Sequence, residues 1–304
     1  MTRESDFIAT LRALAGSAAA RGLLDDAAVL ATPAGPLVLT HDMIVEGVHY
    51  LPDDPPEDVA WKLVAVNLSD LAGKGARPLG VLLGYPLGDA EWDARFVAGL
   101  REVLARFDVP LLGGDTVSSG SGARTLGLTA LGEAPPTGAP ARNGARAGDT
   151  LYVTGRIGAA GLGLAVARGE AAGPPEALAA YRRPLPRLAE GRLLAPSSHA
   201  MMDVSDGLLI DAARMAAASG IGLTLEVHAI PLAAGYTDDR TGRLAAAIAG
   251  DDYELLLAAP AGLTLPGETP LTAIGRFHAS AGLNLVDTAG PVPPPARLGY
   301  EHDA

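Results

Sequence analysis

The 304-residue sequence contains no cysteine. Disulfide bonds, thiolate zinc sites and cysteine nucleophiles are therefore excluded. The chain also lacks an excess of positive charge, since its formal net charge is -12. Nucleic acids and anionic membranes are bound through basic surfaces, so we expect neither of them as a partner.

Two kinds of apolar segment are missing as well. Arg3 is not followed by the apolar stretch of a secretory signal, and no apolar run approaches the roughly 20 residues that cross a bilayer. From these absences we expect a soluble, cytoplasmic protein. Hydrophobic residues make up 48% of the chain and charged residues 19%, which is enough for a substantial core.

Several common catalytic motifs are absent too. The sequence has no G-x-x-x-x-G-K-[ST] loop, since Lys74 lies between two glycines with no Ser or Thr in the required place. It also has no protein-kinase H-R-D or D-F-G set, no G-x-S-x-G elbow and no H-E-x-x-H pair. If the protein uses ATP, it does so without either common phosphate cradle.

Segments of strand and helix character alternate in both halves of the chain, which predicts an α/β (α+β) protein with mixed sheets flanked by helices. Short strands are predicted at residues 28–30, 37–40 and 109–112. The length favours two domains, and residues 136–149 are rich in Pro, Gly and Ala. We therefore predict an N-terminal domain at 1–135, a linker at 136–149 and a C-terminal domain at 150–304.

Aspartates recur where a predicted strand ends or a predicted helix begins. They are Asp25, Asp26, Asp42, Asp70, Asp115, Asp203, Asp206, Asp251 and Asp252. Ligands of α/β proteins collect at the carboxyl ends of the strands, and carboxylates that converge there require cations between them. Hard oxygen ligands favour Mg²⁺, which also bridges substrate phosphates.

Three of these motifs have more specific features. Gly113 and Gly114 let the backbone approach a phosphate before Asp115, and Asn67 lies three residues before Asp70 on one helix face. Residues 203–206 are predicted to begin a helix, whose free N–H groups favour an anion. Each motif alone is more often a cap or a turn, so only the combination points to chemistry.

In this order, the segments DDAAVL, THDMIVEGVHY, AVNLSDLAGKGARP, GGDTV, ARNGARAGDTLYVTG, DVSDGL and GDDYELL resemble the thiamine-monophosphate kinase family. That family belongs to the superfamily of aminoimidazole ribonucleotide synthetase. The resemblance implies the two-domain architecture of that superfamily, a homodimer formed through the N-terminal domain, and two small-molecule substrates, ATP and thiamine monophosphate. The implied reaction is in-line transfer to the substrate phosphate, which is already ionised and requires no general base.

The resemblance also implies roles for individual residues. The Mg²⁺ ligands would be Asp26, Thr40, Asp42, Asp70, Asp115, Asp203 and Asp206. The ATP contacts would be Gly114, Asp115, Arg142 and Ser205, and the substrate contacts His49, Asp251 and Tyr300. Of these residues, we expect Asp115, Arg142 and Asp206 to act in catalysis.

Four positions depart from the family pattern. Leu23 and Leu24 replace glycines, His41 replaces a small hydroxyl residue, Lys74 replaces an apolar residue, and the C-terminus lacks the final aromatic residue. These departures leave open a catalytically impaired nucleotide-binding or thiamine-phosphate-binding protein. A related ATP-dependent synthetase of the superfamily and a metal-dependent phosphatase also remain alternatives.

Overall fold

The computed structural model describes residues 3–31, 35–118 and 122–301. The chain divides into two compact units. Unit 1 comprises Met1–Leu71 and Arg77–Pro136, and unit 2 comprises Ala72–Ala76 and Thr137–Ala304. The predicted α/β class with mixed sheets is confirmed. The domain boundaries at 135 and 150 stay a prediction.

Unit 1 contains three α-helices, a short 3-10 helix and four strands within its described residues. The helices are α1 (Arg3–Arg12), α2 (Pro56–Ala72) and α3 (Ala90–Phe107), with the 3-10 helix at Ala18–Leu23. The strands are β1 (Leu37–Val45), β2 (Arg77–Leu87), β3 (Leu111–Ser118) and β4 (Thr125–Glu133). Helix α3 shows how local sequence sets its bounds, because the Asp89 side chain caps its first turn and Asp108 ends it in a left-handed conformation.

The sheet of unit 1 has the strand order β1-β4-β2-β3, in which only the β2–β3 pair is parallel. Its covered face, defined by the side chains of Leu83, Tyr85 and Leu128, is buried. Tyr85 packs there against Phe96 of α3, with ring centroids 4.9 Å apart. The opposite, open face presents Leu39 and other side chains to solvent. Neighbouring residues of a strand therefore lie in two different environments.

Unit 2 contains five α-helices and seven strands within its described residues. The helices are α4 (Ala159–Ala167), α5 (Pro175–Arg182), α6 (Leu188–Leu194), α7 (Leu208–Ala218) and α8 (Arg240–Ala247). The strands are β5 (Thr150–Thr154), β6 (Ala200–Asp203), β7 (Gly222–Glu226), β8 (Leu255–Ala259), β9 (Leu271–His278), β10 (Gly282–Asp287) and β11 (Gly290–Val292). The strand order is β11-β10-β7-β9-β5-β8-β6, and only β7 and β10 pair in parallel.

Three predictions about individual strands are wrong. Residues 28–30 form no strand. Strand β1 runs past residue 40 to Val45, and β3 begins at Leu111 and runs through Asp115 to Ser118. Pairing with neighbouring strands stabilises both longer strands, including the β3 residues that pair with Gly84 and Tyr85. Asp42 and Asp115 therefore lie inside strands rather than after them.

None of the helices in the described ranges combines the length and the apolar composition needed to cross a bilayer.

Candidate active site

On the covered face, two side chains of helix α2 contact predicted site residues of strand β1. The Thr40 hydroxyl donates a hydrogen bond to Asp70. The fully buried Asn67 accepts from the backbone N–H of Asp42 at 2.9 Å and donates to the Leu63 carbonyl at 2.9 Å. The prediction that Asn67 and Asp70 lie on one face of α2 is confirmed. The Asn67 hydrogen bond fixes the position of the Asp42 backbone relative to α2.

A cavity of about 720 Å³ in unit 1 brings together another group of predicted residues. Asp26, Gly114 and Asp115 line it, together with His41 and apolar side chains such as Leu11 of the N-terminal segment. This volume is within the range of small-molecule sites. The carboxylates of Asp26 and Asp115 are exposed at the cavity and can reach a ligand there.

The aspartates of β1 and β3 project to opposite faces of the sheet. Asp42 is in register with Leu128, which pairs with the buried Leu83, so Asp42 belongs to the covered face. Asp115 is in register with Gly84, the next residue along β2, and belongs to the open face. β1 and β3 are the two edge strands, so about 14 Å of sheet lies between them. Within a single chain, the fold of unit 1 therefore keeps the carboxylates of Asp42 and Asp115 apart.

The departures at His41 and Leu23 have different structural consequences. The His41 ring lies on the open face, where its Nδ1 is 2.9 Å from the Thr129 hydroxyl, so it does not replace a ligand beside Asp42. Leu23 has a φ of 53°, within a run of positive φ values from Arg21 to Leu23. Glycine adopts this conformation without the steric cost that Leu23 incurs.

His49 follows strand β1 and is oriented by its own backbone. Its Nδ1 accepts from the Val45 N–H at 3.1 Å, so the proton of the neutral ring lies on Nε2. The Lys62 ammonium donates to the His49 carbonyl at 2.8 Å. The hydrogen bond from Val45 therefore fixes the orientation of the imidazole ring.

The loop after β6 brings together four predicted residues of unit 2, namely Ser205, Asp206, Asp251 and Tyr300. Asp251 donates its backbone N–H to the Ser205 carbonyl at 2.8 Å, and Tyr300 donates its backbone N–H to the Asp206 carbonyl at 2.8 Å. Asp203 ends β6 directly before this loop and is 7% exposed.

Sequence reasoning missed Asp211, which shapes this loop. The helix start expected at residues 203–206 is too early, because α7 begins at Leu208. The Asp211 carboxylate accepts from the N–H groups of Ser205 and Asp206 at 3.1 and 3.0 Å. Burial raises the pKa of Asp211, against the lowering effect of the Asp206 hydrogen bond. The sequence signal that could have identified Asp211 is an acidic residue within the apolar helical turn LLIDAA. Arg214 forms ion pairs with both Asp206 and Asp211, so a cation at Asp206 would compete with Arg214.

The ion pair between Arg187 and Glu254 lies close in sequence to Asp251, since Glu254 follows it by three residues. Arg187 Nε donates to Glu254 at 2.8 Å and a second guanidinium nitrogen completes the bidentate contact, while Thr154 donates to the same carboxylate at 2.7 Å. Asp251 and Tyr253 both adopt positive φ values, 68° and 50°. Such backbone conformations persist where surrounding contacts enforce them.

Between these two residues, the Asp252 side chain caps helix α4. It accepts from the Gly158 N–H at 2.7 Å and from the Ala160 N–H at 3.4 Å. Burial raises the pKa of Asp252 to about 8, although both hydrogen bonds lower it. The folded state therefore retains this proton at pH values where the unfolded chain loses it.

We expect the substitution Asp252→Asn to change how stability depends on pH. With a pKa raised from 3.8 to about 8, Asp252 stabilises the fold at low pH and loses that contribution between about pH 4 and pH 8. The Tm of the wild type minus the Tm of the variant should fall across this range in thermal unfolding. Asp239→Asn is the control, since the pKa of Asp239 is lowered. A constant difference for Asp252→Asn would contradict the raised pKa.

The contacts of Arg142 differ from those of the other predicted residues of unit 2. It is exposed, in the segment between Thr137 and Asp149, and no described hydrogen bond connects its side chain to the loop after β6. The contacts of its neighbours in the chain determine its position.

The oxygen donors of the predicted metal ligands fit a hard cation whose coordination sphere is completed by a bound substrate. Within residues 3–31, 35–118 and 122–301, no three acidic or histidine side chains converge on one metal position. Mg²⁺ commonly takes only one or two protein carboxylates and completes its octahedron with phosphate oxygens and water. The oxygens of Thr40, Asp42 and Asp70 suit that coordination, whereas a closed protein cage is absent from the described residues.

Comparison with known proteins identifies the family. Residues 24–134 match the family model described as AIR synthase related protein, N-terminal domain, and residues 146–269 match the corresponding C-terminal domain. A thiamine-monophosphate kinase of Caulobacter vibrioides is 39% identical, over 94% of this chain and 86% of that protein.

Two solved structures are similar in fold and in sequence. The thiamine-monophosphate kinase of Stenotrophomonas maltophilia is 33% identical, with a TM-score of 0.76 over 86% of this chain and 89% of that one. A structure described as AaThiL complexed with AMPPCP and TMP is 27% identical, with a TM-score of 0.77 over 91% and 90%. This chain belongs to the thiamine-monophosphate kinase family of AIR synthase related proteins.

Proposed function

We propose that the protein transfers the γ-phosphoryl group of ATP to thiamine monophosphate and forms thiamine diphosphate and ADP. The observation that carries the proposal is the cavity of unit 1, where Asp26, Gly114 and Asp115 line about 720 Å³. Relatives named thiamine-monophosphate kinase and the AMPPCP complex of AaThiL support the same activity. AMPPCP is an ATP analogue, so ATP is the expected phosphoryl donor.

Mg²⁺ is the proposed metal cofactor. Its proposed ligands are Asp26, Thr40, Asp42, Asp70, Asp115, Asp203 and Asp206. When bound, Mg²⁺ would neutralise charge on the phosphates of both substrates. The acidic composition of the chain, with a formal net charge of -12, makes such cations necessary for anionic substrates.

The remaining proposed roles are binding and alignment. We propose that Gly114, Asp115, Arg142 and Ser205 contact ATP and that His49, Asp251 and Tyr300 contact thiamine monophosphate. Transfer between two phosphates depends chiefly on alignment and charge neutralisation, which these groups can supply without a general base. Arg142 would stabilise charge on the triphosphate, and Asp115 and Asp206 would hold the phosphates in line through the metal.

The direct test follows thiamine diphosphate and ADP together in purified protein supplied with ATP, Mg²⁺ and thiamine monophosphate. Matched formation of both products, abolished by EDTA, is the expected result. Free phosphate without thiamine diphosphate would favour a phosphatase. Binding of ATP without turnover would favour the impaired binding protein and would contradict the proposal.

The substitution Asp70→Ala is expected to weaken the response to Mg²⁺. Asp70 accepts from Thr40 and lies on the face of α2 that holds Asp42, so its loss removes one proposed ligand and releases another. The Mg²⁺ concentration at half-maximal activity should rise about 10- to 100-fold. Asp58→Ala, at the start of the same helix, is the matched control. An unchanged Mg²⁺ titration for Asp70→Ala would remove Asp70 from the metal site.

We also propose that the protein acts in the cytoplasm as a homodimer formed through the open face of unit 1. Leu39, Met43 and Val117 on this face are 62%, 52% and 50% exposed. A second copy would bury these side chains. Because Asp42 lies in the edge strand β1, a second copy that extends past this edge would bring its own Asp115 towards Asp42 of the first copy.

Subunit mixing tests this arrangement. Asp42→Asn and Asp115→Asn proteins should each have about 1% of the wild-type rate or less. Their mixture should recover up to about a quarter of that wild-type rate if each site combines both subunits. Light scattering of the wild type should give twice the monomer mass. A monomer in solution, or a mixture without recovery, would contradict the shared site.

A further inference from the structure

The segment that carries Arg142 is held to strand β6 of the same unit by a lysine from a distant part of the sequence. Lys74 belongs to the turn Ala72–Ala76, which packs with unit 2. Its ammonium donates to the Met201 carbonyl at 2.9 Å and to the Pro140 carbonyl at 3.3 Å. Hydrogen bonds from a charged donor are the stronger kind, so this contact fixes residue 140 against strand β6.

Further contacts fix the same segment on both sides of Arg142. The Met201 N–H donates to the Ala141 carbonyl at 3.2 Å, and the Ala145 N–H donates to the Ser219 hydroxyl at 3.2 Å. Gly144 lies so close to the backbone before β6 that a Cβ there would be 1.9 Å from the His199 carbonyl oxygen. The backbone around Arg142 is therefore anchored although its side chain is exposed.

The same turn contacts the strand that ends in Asp203. A Cβ on Gly73 would lie 3.1 Å from the Asp203 backbone nitrogen, so the turn packs directly on this part of β6. Met201, the Lys74 acceptor, precedes Asp203 by two residues in β6. Lys74 thus connects the segment of Arg142 to the strand of a proposed metal ligand.

We propose that Lys74 is a positioning residue for Arg142 and thereby sets the affinity for the nucleotide triphosphate. The inference rests on the proposed function, in which Arg142 contacts ATP. An apolar residue at position 74 offers no donor to the two carbonyl oxygens, so the segment loses both of these anchors and keeps its other contacts. Arg142 would shift relative to the triphosphate, and small displacements of a charge-stabilising group reduce binding and rate.

Titration of Mg²⁺-AMPPCP into purified protein tests the proposal without turnover. Lys74→Met should weaken binding about tenfold, below the roughly 100-fold that a misplacement of 1 Å can cost. The KM for thiamine monophosphate should stay unchanged. Arg101→Met, an exposed cation on α3, controls for the lost charge. Lys74→Gln is the second variant if Lys74→Met does not fold, as thermal unfolding will show.

A double-mutant cycle distinguishes positioning from general destabilisation. If Lys74 acts through Arg142, adding Lys74→Met to Arg142→Ala should cause no further loss of AMPPCP affinity. Additive losses, or unchanged affinity in Lys74→Met alone, would overturn the role of Lys74 and leave the proposed function standing. Normal affinity in Arg142→Ala alone would overturn both the role of Lys74 and the ATP contact assigned to Arg142.

Discussion

The substitution Asp115→Asn should reduce kcat by about 10²- to 10³-fold, the cost of removing one preorganised charge-stabilising group. The carboxylate of Asp115 is exposed on the open face of the sheet and lines the cavity of unit 1. Its only described side-chain hydrogen bond is from the Thr116 N–H at 3.0 Å, which an asparagine oxygen can also accept. Stability should therefore change by less than about 0.5 kcal/mol.

Steady-state kinetics and thermal unfolding, measured on the same preparation, check both parts of this expectation. Asp108→Asn is the matched control in unit 1, because Asp108 is exposed and its left-handed conformation is one that asparagine tolerates. Its kcat and Tm should equal those of the wild type. Wild-type turnover in Asp115→Asn would remove Asp115 from the catalytic machinery.

The substitution Arg187→Met should destabilise unit 2 by about 3–5 kcal/mol, because it leaves a buried carboxylate without its cation. The Glu254 side chain is 7% exposed and the Arg187 side chain 25%. Burial lowers the pKa of Arg187, but hydrogen bonding and the charge of Glu254 outweigh burial and raise it. The Tm should fall by about 10 °C, given the usual entropy of unfolding for a unit of this size.

Removing both charges should restore much of the loss. In the double variant Arg187→Met, Glu254→Met, apolar side chains of similar length replace the pair, and such replacements are often close to neutral. Arg240→Met is the control, because the Arg240 side chain is 47% exposed and its ion pair with Asp287 should matter less. A double variant as unstable as Arg187→Met alone would show that packing, rather than the orphaned charge, determines the loss.

Periodicity and capping signals predicted the helices well where they were strong. Apolar periodicity predicts helices at 208–218 and 91–107. The first matches α7, and the second begins one residue later than the first residue of α3. Helix α5 was missed because prolines and glycines before it suppress the helical pattern. Strands β10 and β11 were also missed, since short strands with exposed residues have little apolar alternation.

The motifs identified the candidate residues but not their spatial relation. Ending the predicted strand at residue 40 left the direction of the Asp42 side chain undetermined, because only a continuous strand fixes the alternation of faces. Strand length depends on the pairing of β1 with β4 and of β3 with β2, which are contacts distant in sequence. The separation of Asp42 from Asp115 therefore could not be derived from the local pattern. The same holds for the two Lys74 contacts, because their acceptors lie 66 and 127 positions later in the sequence.

The turn Ala72–Ala76 has a consequence for the order in which the chain folds. Ala72 and Ala76 are fully buried, yet their unit also includes Gly191 and Met201, which are synthesised much later. At about 5–20 residues per second, roughly 120 residues of further synthesis take on the order of ten seconds. During that interval the end of helix α2 at Ala72 lacks these later packing partners. A chain released after Pro136 would keep that helix end open to chaperones and proteases.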